Sequence, residues 1–390
     1  MIAVTVLIAA ILAPIVVITG FFAAEVLAGI SPVRAPASAN RAFRALVVIP
    51  AHDEQAVIGR TVTDLMSEAG DTLVVLVVAD NCSDDTAGAA RSAGAEVLVR
   101  TDPERRGKGF ALGAARAHLA AQPPDVVVVM DADCRMDGAS LHTLAASAAG
   151  TGRACQAVNL LAPDLAAPVM VQISTFAFVI KNLIRQRGLQ RLAGRAHLTG
   201  TGMALPWDIF EHADLGGANI VEDLALGLEL AKRAASPMFI EGATVWSPAA
   251  SPDGTLVQRR RWEGGYLATA LRAAPRAFSR SLARADLRGQ LAALDLSIPP
   301  LALLLVLNGA GMLLAIVGLL IGAAAWPLLA QLTVGILTAI ALGTAWSREG
   351  RRFASGATLL RLPMYVIWKL PMYLGLIRRG APKEWLRTGR

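Results

Sequence analysis

The chain opens on an almost unbroken apolar run. Between Met1 and Ile30 the single charged residue is Glu25, and residues 2–24 are long enough to cross a bilayer core. From Arg44 the pattern changes to short apolar blocks separated by polar stretches of helical period. Residues 45–50, 72–79, 95–99 and 126–130 read as strands, too short for helices and rich in β-branched residues. Helical stretches lie between them at 55–69 and from Gly107-Lys108-Gly109 to about residue 121. Strands alternating with helices predict a parallel, doubly wound α/β sheet. Further on, residues 168–192 predict an amphipathic helix, suited to a membrane surface or to a core. Residues 224–234 predict another helix and 238–246 another strand. Residues 298–321 and 328–346 are again long and apolar enough to span a bilayer.

Two segments need more than hydropathy. Ala37-Ser38-Ala39 fits a signal-peptidase site, but no basic residue precedes the first apolar run and the run exceeds a usual signal core, so a retained transmembrane helix is expected. Residues 357–377 are apolar yet contain Arg361, Pro363, Lys369 and Pro371. Charge at mid-span is costly. A third C-terminal span would also put the basic tail, residues 378–390, on the side that basic residues avoid. An interfacial or re-entrant segment is expected there. Arg34, Arg41 and Arg44 place the domain that follows the first span in the cytoplasm.

Composition sharpens this picture. The chain is 54% hydrophobic with mean hydropathy +0.50, too apolar for an ordinary soluble domain. Its net charge is +7, and only five of its 37 basic residues are lysine. The basic residues cluster beside apolar segments, which argues for phosphate groups and an anionic membrane face rather than nucleic acid. Cys82, Cys134 and Cys155 form no CxxC pair, as expected of reduced thiols in a cytosolic compartment. No histidine pair has zinc-ligand spacing.

The chemistry collects at predicted strand ends, where open α/β sheets bind ligands. The strand 126–130 ends in Asp131 and Asp133. In extended backbone, residues i and i+2 point the same way, so two like charges share one side. A hard divalent cation relieves that repulsion, and Mg²⁺ is typically held by one or two carboxylates plus substrate phosphates. Asp53 follows the first strand, Asp80 the second, and Lys108 opens a helix behind glycine. Thr199-Gly200-Thr201-Gly202 allows close backbone approach. Val221-Glu222-Asp223 opens a helix, and Gln258-Arg259-Arg260-Arg261-Trp262 precedes the C-terminal apolar segments.

In this order the features resemble family 2 glycosyltransferases. The likeness is strongest to the membrane-embedded group that includes cellulose, hyaluronan and poly-N-acetylglucosamine synthases, and it covers roughly residues 44–262. It implies a cytoplasmic GT-A domain, Rossmann-like with a mostly parallel sheet, flanked by transmembrane and interfacial helices. The corresponding divisions are an N-terminal transmembrane helix (1–30), the GT-A domain (40–250) and an interfacial segment with QxxRW (251–290). Two transmembrane helices (291–347) and a last membrane-associated segment with a basic tail (348–390) follow. The implied activity is inverting transfer of a sugar from a nucleotide sugar, UDP-linked, to a glycan or lipid-linked acceptor at the plasma membrane, in exopolysaccharide or cell-envelope glycan synthesis. By resemblance, Asp53 contacts uracil, Asp80 is a second nucleoside contact and Lys108 lies near the nucleotide. Asp131 and Asp133 engage ribose, diphosphate and Mg²⁺ or Mn²⁺. Asp223 is the general base. Gln258, Arg261 and Trp262 are the QxxRW residues, with Arg261 near the diphosphate and Trp262 near the acceptor.

Arg259 and Arg260 are expected to be surface or headgroup contacts. Val221 stands where threonine is usual, and the membrane part is short for a polymer channel. Two rival readings remain: single-sugar transfer to a polyprenyl phosphate or other lipid, and a non-catalytic subunit of a polysaccharide export complex.

Overall fold

The strands are β1 (Ala45–Ala51), β2 (Val74–Asp80), β3 (Glu96–Arg100), β4 (Val126–Val129), β5 (Cys155–Leu161), β6 (Met203–Pro206) and β7 (Met238–Ser247). They form one sheet in the order β3-β2-β1-β4-β6-β5-β7. The computed structural model describes residues 1–36, 42–69, 73–215, 222–233, 235–248 and 252–380. Ala37, Ser38, Ala39, Arg41, Val221 and the tail beyond residue 380 lie outside the described residues. β1 pairs parallel with β2 and β4, and β2 pairs parallel with β3. β6 runs antiparallel to both β4 and β5, and β5 is parallel to β7. The sheet is therefore mixed and mostly parallel.

All four valines of β4 are buried, as a central strand covered on both faces requires. Alternate residues along the strands divide between two cores. Val47, Val75 and Val128 meet α2 (Gln55–Ala69) and α5 (Gly138–Thr151) on one face. Leu46, Leu76 and Val127 meet α4 (Lys108–Leu119) on the other, joined there by Phe210 and Leu226. The short α3 (Thr86–Ser92) lies between β2 and β3 in sequence.

Residues 168–192 form α6 (Val169–Val179), a π turn at Ile180–Ile184, and α7 (Arg185–Ala193). Val171, Ile173, Phe176, Val179 and Ile184 are buried, so this is a core helix and not a membrane-surface one. α8 (Trp207–Glu211) follows β6, and α9 (Glu222–Lys232) precedes β7.

α1 (Ile2–Ala28) packs against the C-terminal helices α12 (Leu301–Leu320) and α13 (Trp326–Ala345). Among the described residues, α1, α12 and the run Trp326–Gly350 are long and apolar enough to cross a membrane. Between helices, Asn308 donates to Thr19 at 2.9 Å and accepts from Gln331 at 2.8 Å. Such bonds join helices where water is absent. α1 reaches the catalytic half through Gly188 of α7, where an added Cβ would meet the backbone of Glu25.

α10 (Pro252–Ala283) and α11 (Leu287–Ser297) form a helical pair before α12. After the short α14 (Gly356–Leu359), α15 (Leu362–Arg379) packs on α10, α12 and α6. The charge within this last apolar segment is matched: buried Lys369 pairs with Glu263 of α10, which also accepts from Tyr373 at 2.8 Å.

Candidate active site

The polar ends of β1, β2 and β4 lie side by side because those strands are neighbours in the sheet. Asp53, just beyond β1, has φ +54°, uncommon for a residue with a Cβ. Its carboxylate accepts from the Ser83 amide at 2.6 Å, the Ser83 hydroxyl at 3.0 Å and the Asp84 amide at 3.3 Å. The Ser83 amide is the main cause that holds this carboxyl below its ordinary range. Asp53 thus fastens the loop after β1 to the loop after β2.

Asp80 ends β2, is buried, and pairs with Arg100 at 2.5 Å. His52 Nδ1 lies 2.8 Å from the Asp80 carbonyl oxygen, so His52 joins this cluster by structure as well as by position. The ligand atoms of His52, Asp53 and Cys82 fall within 4.8 Å of one another. Burial pushes the Cys82 thiol up, away from the thiolate that binds metal.

Lys108 is the first residue of α4, behind Gly107 at φ +125°, a conformation that side chains disfavour. Its ammonium binds the Asp131 carboxylate and donates to Gly200 O at 2.6 Å. The Asp131 amide donates to Thr201 Oγ1 at 3.1 Å. Gly200 has φ +85°, and a Cβ there would sit 3.3 Å from Asp223 Oδ2 and 3.7 Å from Lys108 Nζ. The missing side chain is what lets Lys108, Asp131 and Asp223 gather around one loop.

The Asp-x-Asp geometry differs from the extended pair expected. β4 stops at Val129, and the Cys134 amide donates to Asp131 O at 3.1 Å, closing a turn over the two acids. Thr61 of α2 anchors that turn by donating to Ala132 O at 2.7 Å. Strand pairing ends here because the chain must reverse into α5. The donor chemistry still suits Mg²⁺ or Mn²⁺: two carboxylates on one turn, hard oxygen ligands, and an Asp131 side chain 43% exposed to the cleft. Cys134 Sγ lies 3.5 Å from Asp133 Oδ1.

Asp223 is the second residue of α9, and its Oδ1 accepts from the Leu224 amide at 2.8 Å. Burial pushes its carboxyl up from the ordinary range, while that amide, Lys108 and Lys181 pull the other way.

Gln258, Arg261 and Trp262 share one face of α10 through i, i+3, i+4 spacing. Gln258 is buried. Trp262 packs on Phe178 with centroids 5.8 Å apart. Arg259 is not a surface residue as expected. It is buried, donates to Ser174 Oγ at 3.0 Å, and lies 5.0 Å over Phe178 and 5.5 Å over Trp262. Its long apolar stem and stacking face let it substitute for a core residue.

Two cavities adjoin this region. One, of about 90 Å³, is lined by Asp223, Asn159, Thr199 and Trp262. The other, of about 60 Å³, extends past Glu263 towards Pro299 and Lys369. Lys181, Arg185, Trp262 and Tyr266 line both. Lys181, Arg185 and Tyr266 are functional-site candidates that reading for motifs did not single out. Their signals were Lys181 and Arg185 four apart on the predicted amphipathic helix, and Tyr266 four residues after Trp262.

The sequence model described as glycosyltransferase like family 2 matches residues 44–265, more than half of the chain. The protein belongs to this family. Among solved structures, this glycosyltransferase is similar to the mannosyltransferase PcManGT from Pyrobaculum calidifontis, in complex with GDP-Man and Mn²⁺. The TM-score is 0.56 at 17% identity, over 94% of this chain and 99% of that one. That likeness shows a shared fold, the α/β GT-A architecture. Glucosyl-3-phosphoglycerate synthase from Mycobacterium tuberculosis, with Mn²⁺, UDP and glucosyl-3-phosphoglycerate, matches with TM-score 0.38 at 20% identity, over 58% of this chain and 79% of that one. A structure of the same synthase holds Mg²⁺ and UDP, with TM-score 0.37 at 19% identity, over 58% of this chain and 79% of that one. No curated protein matches the chain.

Proposed function

We propose that this glycosyltransferase is a membrane-bound, inverting enzyme of the cellulose and hyaluronan synthase type. It moves a hexose from a UDP-linked sugar to a glycan or lipid-linked acceptor in cell-envelope glycan synthesis. The observation that carries the proposal is the meeting of Lys108, Asp131 and Asp223 around Gly200, with a cavity on the Asp223 side. A non-catalytic subunit would have no use for a base and a phosphate site held by one loop.

Asp53 and Asp80, at the ends of β1 and β2, take the nucleoside side of the donor. Lys108 and Arg261 offset negative charge as the diphosphate leaves. Asp131 and Asp133 would hold the divalent ion, which supplies charge stabilisation to the diphosphate. Asp223 accepts the proton of the attacking hydroxyl. One displacement assisted by one base inverts the anomeric carbon. Gln258 supports the face that carries Arg261, and Trp262 offers an apolar surface to the acceptor. The mannosyltransferase neighbour, with GDP-Man and Mn²⁺, supports both a nucleotide sugar and a divalent ion.

Asp133→Asn is expected to weaken metal-dependent binding of the nucleotide sugar, because one anionic oxygen ligand is lost. Calorimetric titration of UDP-sugars with and without Mn²⁺ measures this. Unchanged affinity under both conditions would remove Asp133 from the metal site.

We also place the catalytic domain in the cytoplasm under the plasma membrane. Glu349, just past α13, pairs with Arg187 at 2.7 Å, and Arg187 pairs with Glu241 of β7 at 2.6 Å. The helix end and turn carrying Arg348, Arg351 and Arg352 are thus on the side of the catalytic domain, in agreement with the positive-inside tendency. A cysteine at exposed Ser347 should resist membrane-impermeant thiol reagents in intact cells. Labelling from outside would invert the topology.

A further inference from the structure

The walls of the two cavities carry a charge imbalance. Arg185 is satisfied by Glu25 at 2.6 Å and by Asp295. Arg259 is satisfied by Ser174 and two aromatic rings. Lys369 is satisfied by Glu263. Lys181 has no acid at ion-pairing distance among the described residues, and its recorded contact is the Tyr266 ring at 5.5 Å. Its side chain is exposed, and it opens onto both cavities. A cation walled by protein on several sides without a counter-ion loses part of its hydration, and this desolvation pulls Lys181 below the ordinary lysine range. An anion arriving in the cavity would remove that penalty.

The surroundings say what kind of anion fits. On one side of Lys181 the larger cavity reaches Asp223. On the other, the smaller cavity runs along Phe22 of α1, Leu301 and Ala302 at the start of α12, and Tyr365 of α15. Two of those helices are candidate membrane spans. The space therefore passes from a half-buried acid, past a cation without an ion-pair partner among the described residues, to apolar side chains at the candidate membrane helices. Each cavity has room for several waters, or for a group the size of a phosphate.

We propose that the acceptor is a membrane phospholipid whose head group carries a hydroxyl, with its phosphate paired to Lys181, that hydroxyl at Asp223, and its apolar portion leaving between α12 and α15. This rests on the glycosyltransferase reading and specifies its acceptor. In the transfer, the hydroxyl oxygen bonds to the anomeric carbon and its proton goes to Asp223. The bond from that carbon to the diphosphate oxygen breaks, and the nucleoside diphosphate leaves with the electron pair. A bare lipid phosphate fits less well. It needs no base, and Asp223 would repel it.

The test uses the full-length protein in phosphatidylcholine nanodiscs doped with phosphatidylglycerol, diacylglycerol or polyprenyl phosphate. Lipid retention is read by native mass spectrometry, beside nucleoside diphosphate release from UDP- and GDP-sugars. Wild type should retain phosphatidylglycerol over diacylglycerol and release nucleotide with it. Lys181→Met should lower that retention by about tenfold or more, the scale of one charged hydrogen bond. Lys181→Arg should restore it, and donor affinity should be unchanged in both variants, which also reports on folding. Equal retention of the two glycerolipids would overturn the proposal. So would transfer to polyprenyl phosphate but not phosphatidylglycerol, or transfer to a soluble oligosaccharide that Lys181→Met leaves intact. Lys181-dependent retention without nucleotide release from any donor would uphold the lipid site while refuting the glycosyltransferase reading.

Discussion

Asp223→Asn is expected to lower sugar transfer by about 10²–10⁴-fold, the usual worth of a general base, with little change in nucleotide affinity. The side chain stands at the start of α9 with one oxygen on its neighbour's amide and the other near Gly200. Asparagine can keep the amide contact through its carbonyl and still suits a helix start, so the fold should persist. It cannot take a proton. Because burial raises the Asp223 carboxyl, and the ionised form is the active one, transfer should fall as pH drops through that raised value. The acid limb of the rate profile should then lie above the ordinary carboxylate range. Transfer measured beside UDP binding, on the variant and across pH, decides the role. Near-normal transfer would place the base elsewhere. Loss of UDP binding would make Asp223 a nucleotide ligand.

Arg185→Ala is expected to cost about 3–5 kcal/mol, the penalty for leaving buried charge without its partner. Total stabilities are only about 5–15 kcal/mol, so this change alone should remove much of the folded protein. Arg185 joins Glu25 of α1 to Asp295 of α11, and His197 also binds Asp295. Tyr266 closes the cluster by donating to Leu296 O and Ile298 O at 3.1 Å. The group ties α1, a candidate membrane-spanning helix, the core helix and the segment before α12 into one unit. Burial alone would raise the Asp295 carboxyl, but Arg185 and His197 outweigh it and hold it well below the ordinary range. With a depressed folded value, its contribution is present above the unfolded carboxylate pKa of about 4. It is lost as pH falls towards the folded one. Thermal unfolding in detergent at neutral and acid pH measures both effects. An Arg185→Ala midpoint within a degree or two of wild type would show the cluster to be dispensable.

The elements that hydropathy predicts well are those whose pattern is local. The β1, β2 and β4 segments are β-branched runs closed by acids, and burial on both faces makes such runs legible. β3, at the sheet edge and without a fully buried residue, shows through its short apolar run Val97-Leu98-Val99. α1, α12 and α13 are legible by length. β5 was not, because its sequence, Cys155-Gln156-Ala157-Val158-Asn159, has no period. Its polar side chains are buried and serve the Thr199–Gly202 loop: Gln156 donates to Thr201 O at 2.9 Å and Asn159 to Thr199 at 3.1 Å. The antiparallel β6 is four residues ending in proline, too short to stand out. The extended reading of Asp131 and Asp133 failed because the strand stops at Val129 to let the chain turn into α5.

Long-range pairing hid the rest. Arg185 reads as an amphipathic-helix charge until its acids arrive from 160 and 110 residues away. Lys369 reads as a misplaced charge until Glu263 is opposite it, 106 residues off. Arg259 looked like one of two surface arginines because nothing in the sequence shows that Ser174 and Phe178 receive it. Asp53, Lys108 and Asp223 were found through the family's motif order. Lys181 belongs to no motif and emerges only where the cavities meet.

The most direct measurement is nucleoside diphosphate release by the purified full-length protein from a panel of UDP- and GDP-sugars, with and without Mn²⁺ or Mg²⁺, followed by product analysis. The predicted result is release with one or a few donors, dependent on the divalent ion, abolished in Asp131→Asn and accompanied by a new glycosidic product of inverted configuration. Release from no nucleotide sugar, or release that neither the metal nor Asp131→Asn affects, would contradict the assignment of this site.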